Sequence, residues 1–246
     1  TRMSDRTDTS IILVGGQGTR LRPAVSGVAK PMAEVLGRPF LAYLFDQLLE
    51  ADLRQVVLST GYAADSVEDH FGASYGGLRL TYSREREPLG TAGAVRLAWT
   101  HLEASSALVL NGDSYVDVDL GHFLTWSTGQ VVDATLVSAK VDDLSRYGAL
   151  KLSADGLVQG FEEKRADSGK RSGWINAGVY HLRSSVVDTI PKLGPSSLER
   201  DVFPKLVPGQ MAALKRETGF IDIGTPESYR EAEEFFAERG RVDGVA

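Results

Sequence analysis

A short apolar run near the start of the chain is followed by three glycines and two arginines. Residues 11–14 are rich in β-branched side chains and predict a buried strand, after which come Gly15, Gly16 and Gly18. Glycines let successive backbone N–H groups converge on an anion, and Arg20 and Arg22 add cationic forks that bind polyphosphates. The stretch predicts a phosphate-binding turn, although a plain strand-to-helix turn with two surface arginines has the same spacing.

Two common phosphate loops are excluded by spacing. A Walker loop ends in Gly-Lys followed by Ser or Thr, and no such triplet occurs in the sequence. A dinucleotide fingerprint that starts at Gly16 needs a glycine at position 21, which is Leu21.

Two aspartates are associated with apolar segments that predict strands, one after the end of a strand and one within a strand. Asp113 follows the run 107–110, and Asp222 lies between two isoleucines. A buried carboxylate is costly unless it binds a cation or accepts hydrogen bonds. Alone, Asp113 is equally a turn residue, but together the two predict a Mg²⁺ site facing a triphosphate.

Three further polar features leave alternatives open. Asp117 and Asp119 resemble the Asp-x-Asp of metal-dependent glycosyltransferases, or Asp119 caps the next helix. The charge run 162–165 is either a solvated surface or part of a site. Asn176, within an apolar strand, needs hydrogen-bond partners that sugar hydroxyls would supply.

Composition excludes several classes of protein. The 246 residues carry 33 acidic and 27 basic side chains, and the net charge of −6 argues against a nucleic-acid partner. There is no cysteine, and the four histidines lack ligand spacing, so we expect no zinc. No apolar run reaches the length of a membrane span, and residues 1–10 predict a disordered polar tail. We expect a soluble, cytoplasmic protein.

The remaining pattern predicts an α/β fold in one domain, residues 11–246. Its first half, 11–126, alternates strands and helices, which favours a mainly parallel sheet with helices on both faces and ligands beyond the carboxyl ends of the strands. Its second half, 127–246, is richer in strand signals and predicts a smaller antiparallel part, with a cleft between the two. The predicted strands are 11–14, 56–58, 78–82, 107–110, 134–139, 147–152, 157–161 and 174–182, with short ones near 212 and 220. The predicted helices begin near 39, 65, 92, 120, 186 and 198, and the last spans about 226–239.

Taken together, these residues resemble the sugar-1-phosphate nucleotidyltransferases. The family signature is similar to Gly15 to Pro23, followed by Lys30-Pro31-Met32. The resemblance continues through Asn111-Gly112-Asp113, Arg146-Tyr147-Gly148, Phe161 to Lys164, Asn176-Ala177-Gly178 and Asp222, and so covers nearly the whole chain. It implies a Rossmann-like fold and the reaction of an NTP with a sugar 1-phosphate, giving an NDP-sugar and pyrophosphate.

The resemblance also implies residue roles. Arg20, Lys30, Asp113 and Lys164 would be catalytic: Arg20 would hold the departing phosphates, and Lys30 would neutralise charge at the reacting phosphate. The nucleotide would be bound by Gly15, Gly16, Gly18, Thr19, Arg20, Glu87, Leu89 and Gly90. Sugar phosphate would be held by Gly148, Glu163, Lys164 and Asn176, and Mg²⁺ by Asp113 and Asp222.

Within the family, the stretches 87–94, 108–113 and 220–227 look most like the D-glycero-α-D-manno-heptose 1-phosphate guanylyltransferases, with GTP as donor and Glu87 as a candidate acceptor for guanine. Relatives that use mannose, glucose or N-acetylmuramate 1-phosphate are the alternatives, and a glycosyltransferase or a noncatalytic nucleotide-sugar sensor are more distant ones. Ala29 and Arg165 replace prolines that are common in the family. The replacement at Arg165 would alter the mouth of the sugar pocket. A homodimer is expected from the resemblance alone.

Overall fold

The computed structural model describes residues 8–16, 29–61, 64–162 and 171–243. In these ranges the α-helices are α1 (Phe40–Glu50), α2 (Ala64–Phe71), α3 (Gly90–Trp99), α4 (Leu120–Thr128), α5 (Ser184–Asp188) and α6 (Pro226–Asp243). The strands of the first half are β1 (Thr9–Leu13), β2 (Glu34–Val35), β3 (Arg38–Pro39), β4 (Gln55–Thr60), β5 (Ser74–Tyr75), β6 (Leu78–Arg84), β7 (Ser106–Asn111) and β8 (Ser114–Val116). Those of the second half are β9 (Ala134–Val141), β10 (Ala149–Leu152), β11 (Val158–Glu162), β12 (Gly173–Arg183), β13 (Met211–Arg216) and β14 (Phe220–Asp222).

The centre of the main sheet is parallel, as the sequence predicts. Strands β7, β1, β4 and β6 lie side by side in that order and run in one direction. Successive side chains of β1 point to opposite faces. Ile12 packs in the cluster that contains the α1 side chains, whereas Ile11 packs in the cluster that contains α3. Helices therefore cover both faces, and the predicted fold class is confirmed.

Strand β12 joins the second half of the chain to this sheet. Its residues 179–183 pair antiparallel with β7, and its other edge pairs antiparallel with β9. Between Asn176 and Tyr180 the register with β9 shifts, and Gly178 has a φ of +77°, which favours glycine. β12 is therefore bent just where it carries Asn176.

Four details differ from the sequence prediction. Strand β1 begins at Thr9, within the predicted tail, because its neighbours extend far enough to pair with Thr9 and Ser10. The predicted strand 147–152 begins two residues later, as β10 at Ala149, and a 3-10 turn at Leu144–Arg146 precedes it. The predicted helix near Leu198 is one π-helical turn, Leu198–Val202, and a 3-10 turn. β13 runs parallel to β9 in an otherwise antiparallel region, because the chain crosses the sheet between them.

A separate two-stranded sheet and the last helix connect the two halves. β14 pairs antiparallel with β8, which places Asp222 opposite Ser114. The following helix α6 packs against the first half through Phe236, whose ring stacks on Tyr43 with centroids 3.9 Å apart and meets Tyr115 edge-on. Asp222 is thus held beside the end of β7. No helix in the described part of the chain combines the length and apolarity that a membrane span requires.

A buried histidine links β12 to α4 and β9. The Nδ1 atom of His181 lies 2.6 Å from the Ser127 hydroxyl, which is 2.6 Å from the hydroxyl of Thr135. His181 is only 5% exposed. Burial, with a smaller contribution from the Arg183 charge, lowers the pKa of His181 from 6.5 to about 4.

This shift predicts acid sensitivity of the fold. Between pH 6.5 and about 4 the unfolded chain binds a proton at position 181 that the folded chain does not, so the free energy of unfolding falls as the pH falls. We expect His181→Gln to remove about 3 kcal/mol of that decrease. Urea unfolding at a series of pH values measures it. His101→Gln, at an exposed site, is the control, and equal pH profiles for wild type and His181→Gln would contradict the prediction.

Candidate active site

A cavity of about 520 Å³ opens where three parallel strands end. Leu13, Gly61 and Glu85 mark the carboxyl ends of β1, β4 and β6 at its wall. The other described residues that line the cavity are Gly15, Gly16, Arg86, Glu87, Pro88, Gly90, Thr91 and Ala94. The first two predicted loop glycines therefore lie in a ligand-sized cavity at the expected edge of the sheet.

Close packing explains why Gly15 has no side chain. A Cβ atom there would stand 2.6 Å from Glu85 Oε1 and 3.3 Å from the backbone nitrogen of Gly61. A larger residue would have to displace the Glu85 carboxylate and would press on the Gly61 backbone, both of which belong to the cavity wall. Its backbone can approach a ligand because the position is glycine.

Glu85 is a cavity residue that the sequence analysis missed. Its Oε2 accepts the backbone N–H of Leu89 at 2.9 Å, and its Oε1 accepts the Ser59 hydroxyl at 3.5 Å. Burial is the largest influence on this carboxyl and raises its pKa. The sequence predicts this strand to end at residue 82, whereas β6 extends to Arg84 and so places Glu85 directly at the ligand edge.

Two of the three residues predicted to bind the nucleotide in the loop 87–90 line the cavity, and the third does not. Glu87 and Gly90 line the cavity, and Glu87 is exposed at its rim. Leu89 is not among the described residues that line the cavity. Its backbone holds the loop in place, since its N–H donates to Glu85 and its carbonyl accepts the N–H of Ser196 at 2.8 Å. Gly90 has a φ of +71° and packs directly on Ser196, so glycine is required there.

Three charged residues from distant parts of the sequence converge beside the cavity edge. Lys30, in the 3-10 turn Lys30–Met32, donates from Nζ to Asp113 Oδ2 at 2.6 Å. The N–H of Ile223 donates to the Asp113 carbonyl, which fixes the neighbouring Asp222. A Cβ atom on Gly224 would stand 2.6 Å from Asp222 Oδ1 and 3.4 Å from Lys30 Nζ. The predicted pair of aspartates and the predicted lysine are thus brought together.

The Asp222 carboxylate is firmly oriented. Its Oδ1 accepts the N–H of Gly224 at 2.8 Å, and its Oδ2 accepts the Tyr147 hydroxyl at 2.6 Å. Arg146 lies 3.9 Å from the same Oδ2. Burial and, after it, the hydrogen bond to Asp222 raise the pKa of Tyr147, so this hydroxyl remains a donor.

A magnesium ion fits this donor set. No group of three or more His, Cys, Asp or Glu residues with metal-binding geometry occurs among the described residues. Mg²⁺ does not need such a group, because it is commonly bound by one or two carboxylates together with substrate phosphates and water. Asp113, whose side chain is 43% exposed, and Asp222 would supply the two carboxylates.

The rival pair Asp117 and Asp119 serves the fold. Asp119 Oδ1 accepts the N–H of His122 at 2.8 Å and caps α4, as the sequence analysis allowed. Asp117 Oδ1 accepts from Arg239 Nε at 3.2 Å. Neither residue lines the cavity, so this pair does not supply the metal site that a glycosyltransferase would need there.

Asn176 lies near the charged centre. Its Nδ2 donates to the Tyr180 hydroxyl at 2.9 Å, and its Oδ1 accepts the N–H of Gly178 at 3.0 Å. A Cβ atom on Gly178 would stand 2.7 Å from the hydroxyl of Ser114, next to Asp113. The bend of β12 therefore packs on the segment that carries Asp113. Gly148 is exposed and adjoins Glu162, since a Cβ atom there would meet the Glu162 carbonyl at 2.9 Å.

Five predicted site residues lie outside the described residues, namely Gly18, Thr19, Arg20, Glu163 and Lys164. Their predicted roles in nucleotide and sugar-phosphate binding stay predictions.

Comparison with known proteins identifies the family. The sequence pattern that defines the family described as nucleotidyl transferase matches residues 9–239. The chain belongs to this family. The resemblance drawn from the glycine-rich motif is therefore confirmed, and the chain is an enzyme of the nucleotidyltransferase type.

Relatives within the family include several guanylyltransferases. The chain is 36% identical over 225 residues to D-glycero-alpha-D-manno-heptose 1-phosphate guanylyltransferase of Aneurinibacillus thermoaerophilus, covering 91% of this chain and 96% of that protein. It is 37% identical over 225 residues to the mannose-1-phosphate guanylyltransferase catalytic subunit beta of Drosophila melanogaster, of which it spans 60%, with 89% of this chain covered. The crystal structure of HddC from Yersinia pseudotuberculosis complexed with GMP-PN superposes with a TM-score of 0.81 at 36% identity, covering 93% of this chain and 99% of that one.

Proposed function

We propose that this nucleotidyltransferase transfers GMP from GTP to D-glycero-α-D-manno-heptose 1-phosphate, releasing pyrophosphate and requiring Mg²⁺. The observation that carries the proposal is the convergence of Lys30, Asp113 and Asp222 beside a cavity walled by Gly15 and Gly16. The heptose-phosphate guanylyltransferase of Aneurinibacillus thermoaerophilus, matched over 96% of its length, supports the choice of sugar. The HddC complex with GMP-PN supports the choice of nucleotide.

The reaction needs no covalent enzyme intermediate. A phosphate oxygen of the sugar phosphate attacks the α-phosphorus of GTP, and the bond from that phosphorus to the oxygen bridging the β-phosphate breaks, so pyrophosphate leaves. The nucleophile is already an anion, and the protein has to align it and offset the repulsion between two anions. Mg²⁺, held by Asp113 and Asp222, would supply positive charge to the phosphates.

Lys30 supplies the fixed positive charge. Its ammonium group has three N–H donors, and the ion pair with Asp113 uses one of them. Among the described residues Asp113 is the one partner of this ammonium group, which leaves two donors for phosphate oxygens. Because the lysine side chain is only 11% exposed, its charge acts in a site from which much of the solvent is excluded.

Glu85 supports the preference for guanine. An ionised carboxylate only accepts hydrogen bonds, and guanine presents adjacent N–H donors at N1 and N2. Glu85 lines the cavity at the end of β6, and its contacts within the described part of the chain, with Leu89 and Ser59, leave lone pairs for a ligand. Glu87, the acceptor suggested by the sequence, lies exposed at the rim.

The substrate pair is tested by pyrophosphate release with Mg²⁺ across four NTPs and the 1-phosphates of heptose, mannose, glucose and N-acetylmuramate. We expect the highest kcat/KM for GTP with the heptose phosphate. A higher value for mannose 1-phosphate would favour the activity named for the Drosophila relative and reject the heptose assignment. No product with any pair would reject the proposed function.

Replacing Lys30 tests the charge at the reacting phosphate. By comparison with the loss of one preorganised donor to a developing charge, we expect Lys30→Ala to lower kcat by about 10²–10³-fold. Steady-state pyrophosphate release measures it. Lys140→Ala removes a lysine that pairs with Glu217 on the surface and serves as the control. A loss below about tenfold would contradict this role for Lys30.

Replacing Glu85 tests the base contact. A hydrogen bond to a charged group contributes about 1.5–3 kcal/mol, so we expect Glu85→Gln to lower kcat/KM for GTP by about 10- to 100-fold. Wild type should prefer GTP to ITP, which lacks the N2 amine, and the variant should lose that preference. Glutamine retains an oxygen for the N–H of Leu89. A larger effect of Glu87→Gln would assign the base contact to Glu87 instead.

A further inference from the structure

The carboxylate of Glu199 lies between the cavity and strand β12. Its Oε2 accepts the hydroxyls of Thr91 at 3.0 Å and Ser197 at 2.9 Å, and its Oε1 accepts the hydroxyl of Tyr180 at 3.3 Å. The side chain is half-buried and belongs to the π-helical turn Leu198–Val202. Neither the family signature nor the cavity lining includes Glu199.

On the nucleotide side, Glu199 is fixed to the cavity wall. Thr91 lines the cavity, and its hydroxyl also accepts the N–H of Leu198 at 2.8 Å. The backbone of Ser196 pairs with the same loop, donating to the Leu89 carbonyl at 2.8 Å and accepting the N–H of Ala92 at 2.9 Å. The segment 196–199 is therefore tied to the nucleotide loop by both backbone and side chains.

On the other side, Glu199 reaches Asn176 through one hydroxyl. Tyr180 is fully buried, and its O–H, which donates to Glu199, accepts from Asn176 Nδ2 at 2.9 Å. With Gly178 N–H bound to Oδ1, both ends of the Asn176 amide are engaged and its orientation is set. The Tyr180 hydroxyl has a single hydrogen, which it donates to Glu199, so it can only accept from the Asn176 amide. The two hydrogen bonds therefore point the same way, from the amide through Tyr180 to the carboxylate.

We propose that Glu199 is a positioning residue that couples the two substrate sites. It holds Thr91 at the nucleotide cavity and, through Tyr180, orients the Asn176 amide toward the sugar phosphate. The inference rests on the proposed function, in which Asn176 contacts the sugar phosphate. It adds a residue that touches neither substrate and sets the geometry of both sites.

Conservative variants separate the two arms of the network. In Glu199→Gln the remaining oxygen accepts from Thr91 and Ser197, but the amide nitrogen cannot accept from Tyr180. Glu199→Gln and Tyr180→Phe should therefore both raise the KM for the sugar 1-phosphate, by about 3- to 10-fold, the effect of losing one hydrogen bond, while the KM for GTP changes by less than about twofold. Thr91→Val should show the opposite pattern, and Glu199→Ala should raise both constants.

The measurement is steady-state kinetics with each substrate varied in turn, together with the melting temperature of each variant. Tyr43→Phe is the matched control, since it removes a buried tyrosine hydroxyl that donates to the Val35 carbonyl outside this network. It should leave both KM values unchanged. A network that only stabilised the fold would lower the melting temperature without separating the two KM values.

Two failures are distinguishable. If wild type forms product but Glu199→Gln and Tyr180→Phe change both KM values equally, or neither beyond the control, the positioning role is overturned and the proposed function stands. If wild type forms no product with GTP and any sugar 1-phosphate, the proposed function fails and the coupling fails with it.

Discussion

The ion pair between Lys30 and Asp113 is the contact on which the arrangement of the site depends. It joins residues 83 positions apart, and it is supported by the neighbouring residues, because Pro31 packs on Gly112. The N–H of Gly112 donates to the Leu13 carbonyl at 3.0 Å, so the turn that carries Asp113 is fixed to the strand that leads into the glycine-rich segment. A lysine and a carboxylate held in this way provide both signs of charge beside one cavity.

Much of the fold is predictable because its signals are local. The apolar runs of β1, β4 and β7 and the leucine- and phenylalanine-rich stripe of α1 each fix one element within a few residues, and alternation of strand and helix then favours a parallel sheet. Asp113 and Asp222 are found for the same reason, since a carboxylate next to apolar strand residues requires a partner. Their meeting follows from the pairing of β8 with β14, which the sequence does not display.

Glu85 and Glu199 escape detection for physical reasons. Glu85 lies in the run Arg84 to Glu87, which as a sequence is a typical solvated charge run. Only the end of β6 shows that Glu85 is half-buried at the cavity wall, whereas Glu87 is exposed at the rim. The role proposed for Glu199 depends on its hydrogen bonds to Thr91 and Tyr180, which lie 108 and 19 positions away in the sequence. The bend of β12 and the parallel course of β13 likewise depend on pairing between distant strands.

The register between β8 and β14 has a consequence for how such a chain diversifies. Lys30 and Asp113 lie in the first half, whereas Asp222 lies in the second and is placed by a pairing of three residues on each strand. Neither half holds a complete charged centre, so recombination between relatives cannot exchange the halves as independent modules unless this short pairing survives. The β8–β14 pairing therefore links the evolution of the two halves, because a half can be exchanged only together with a matching strand.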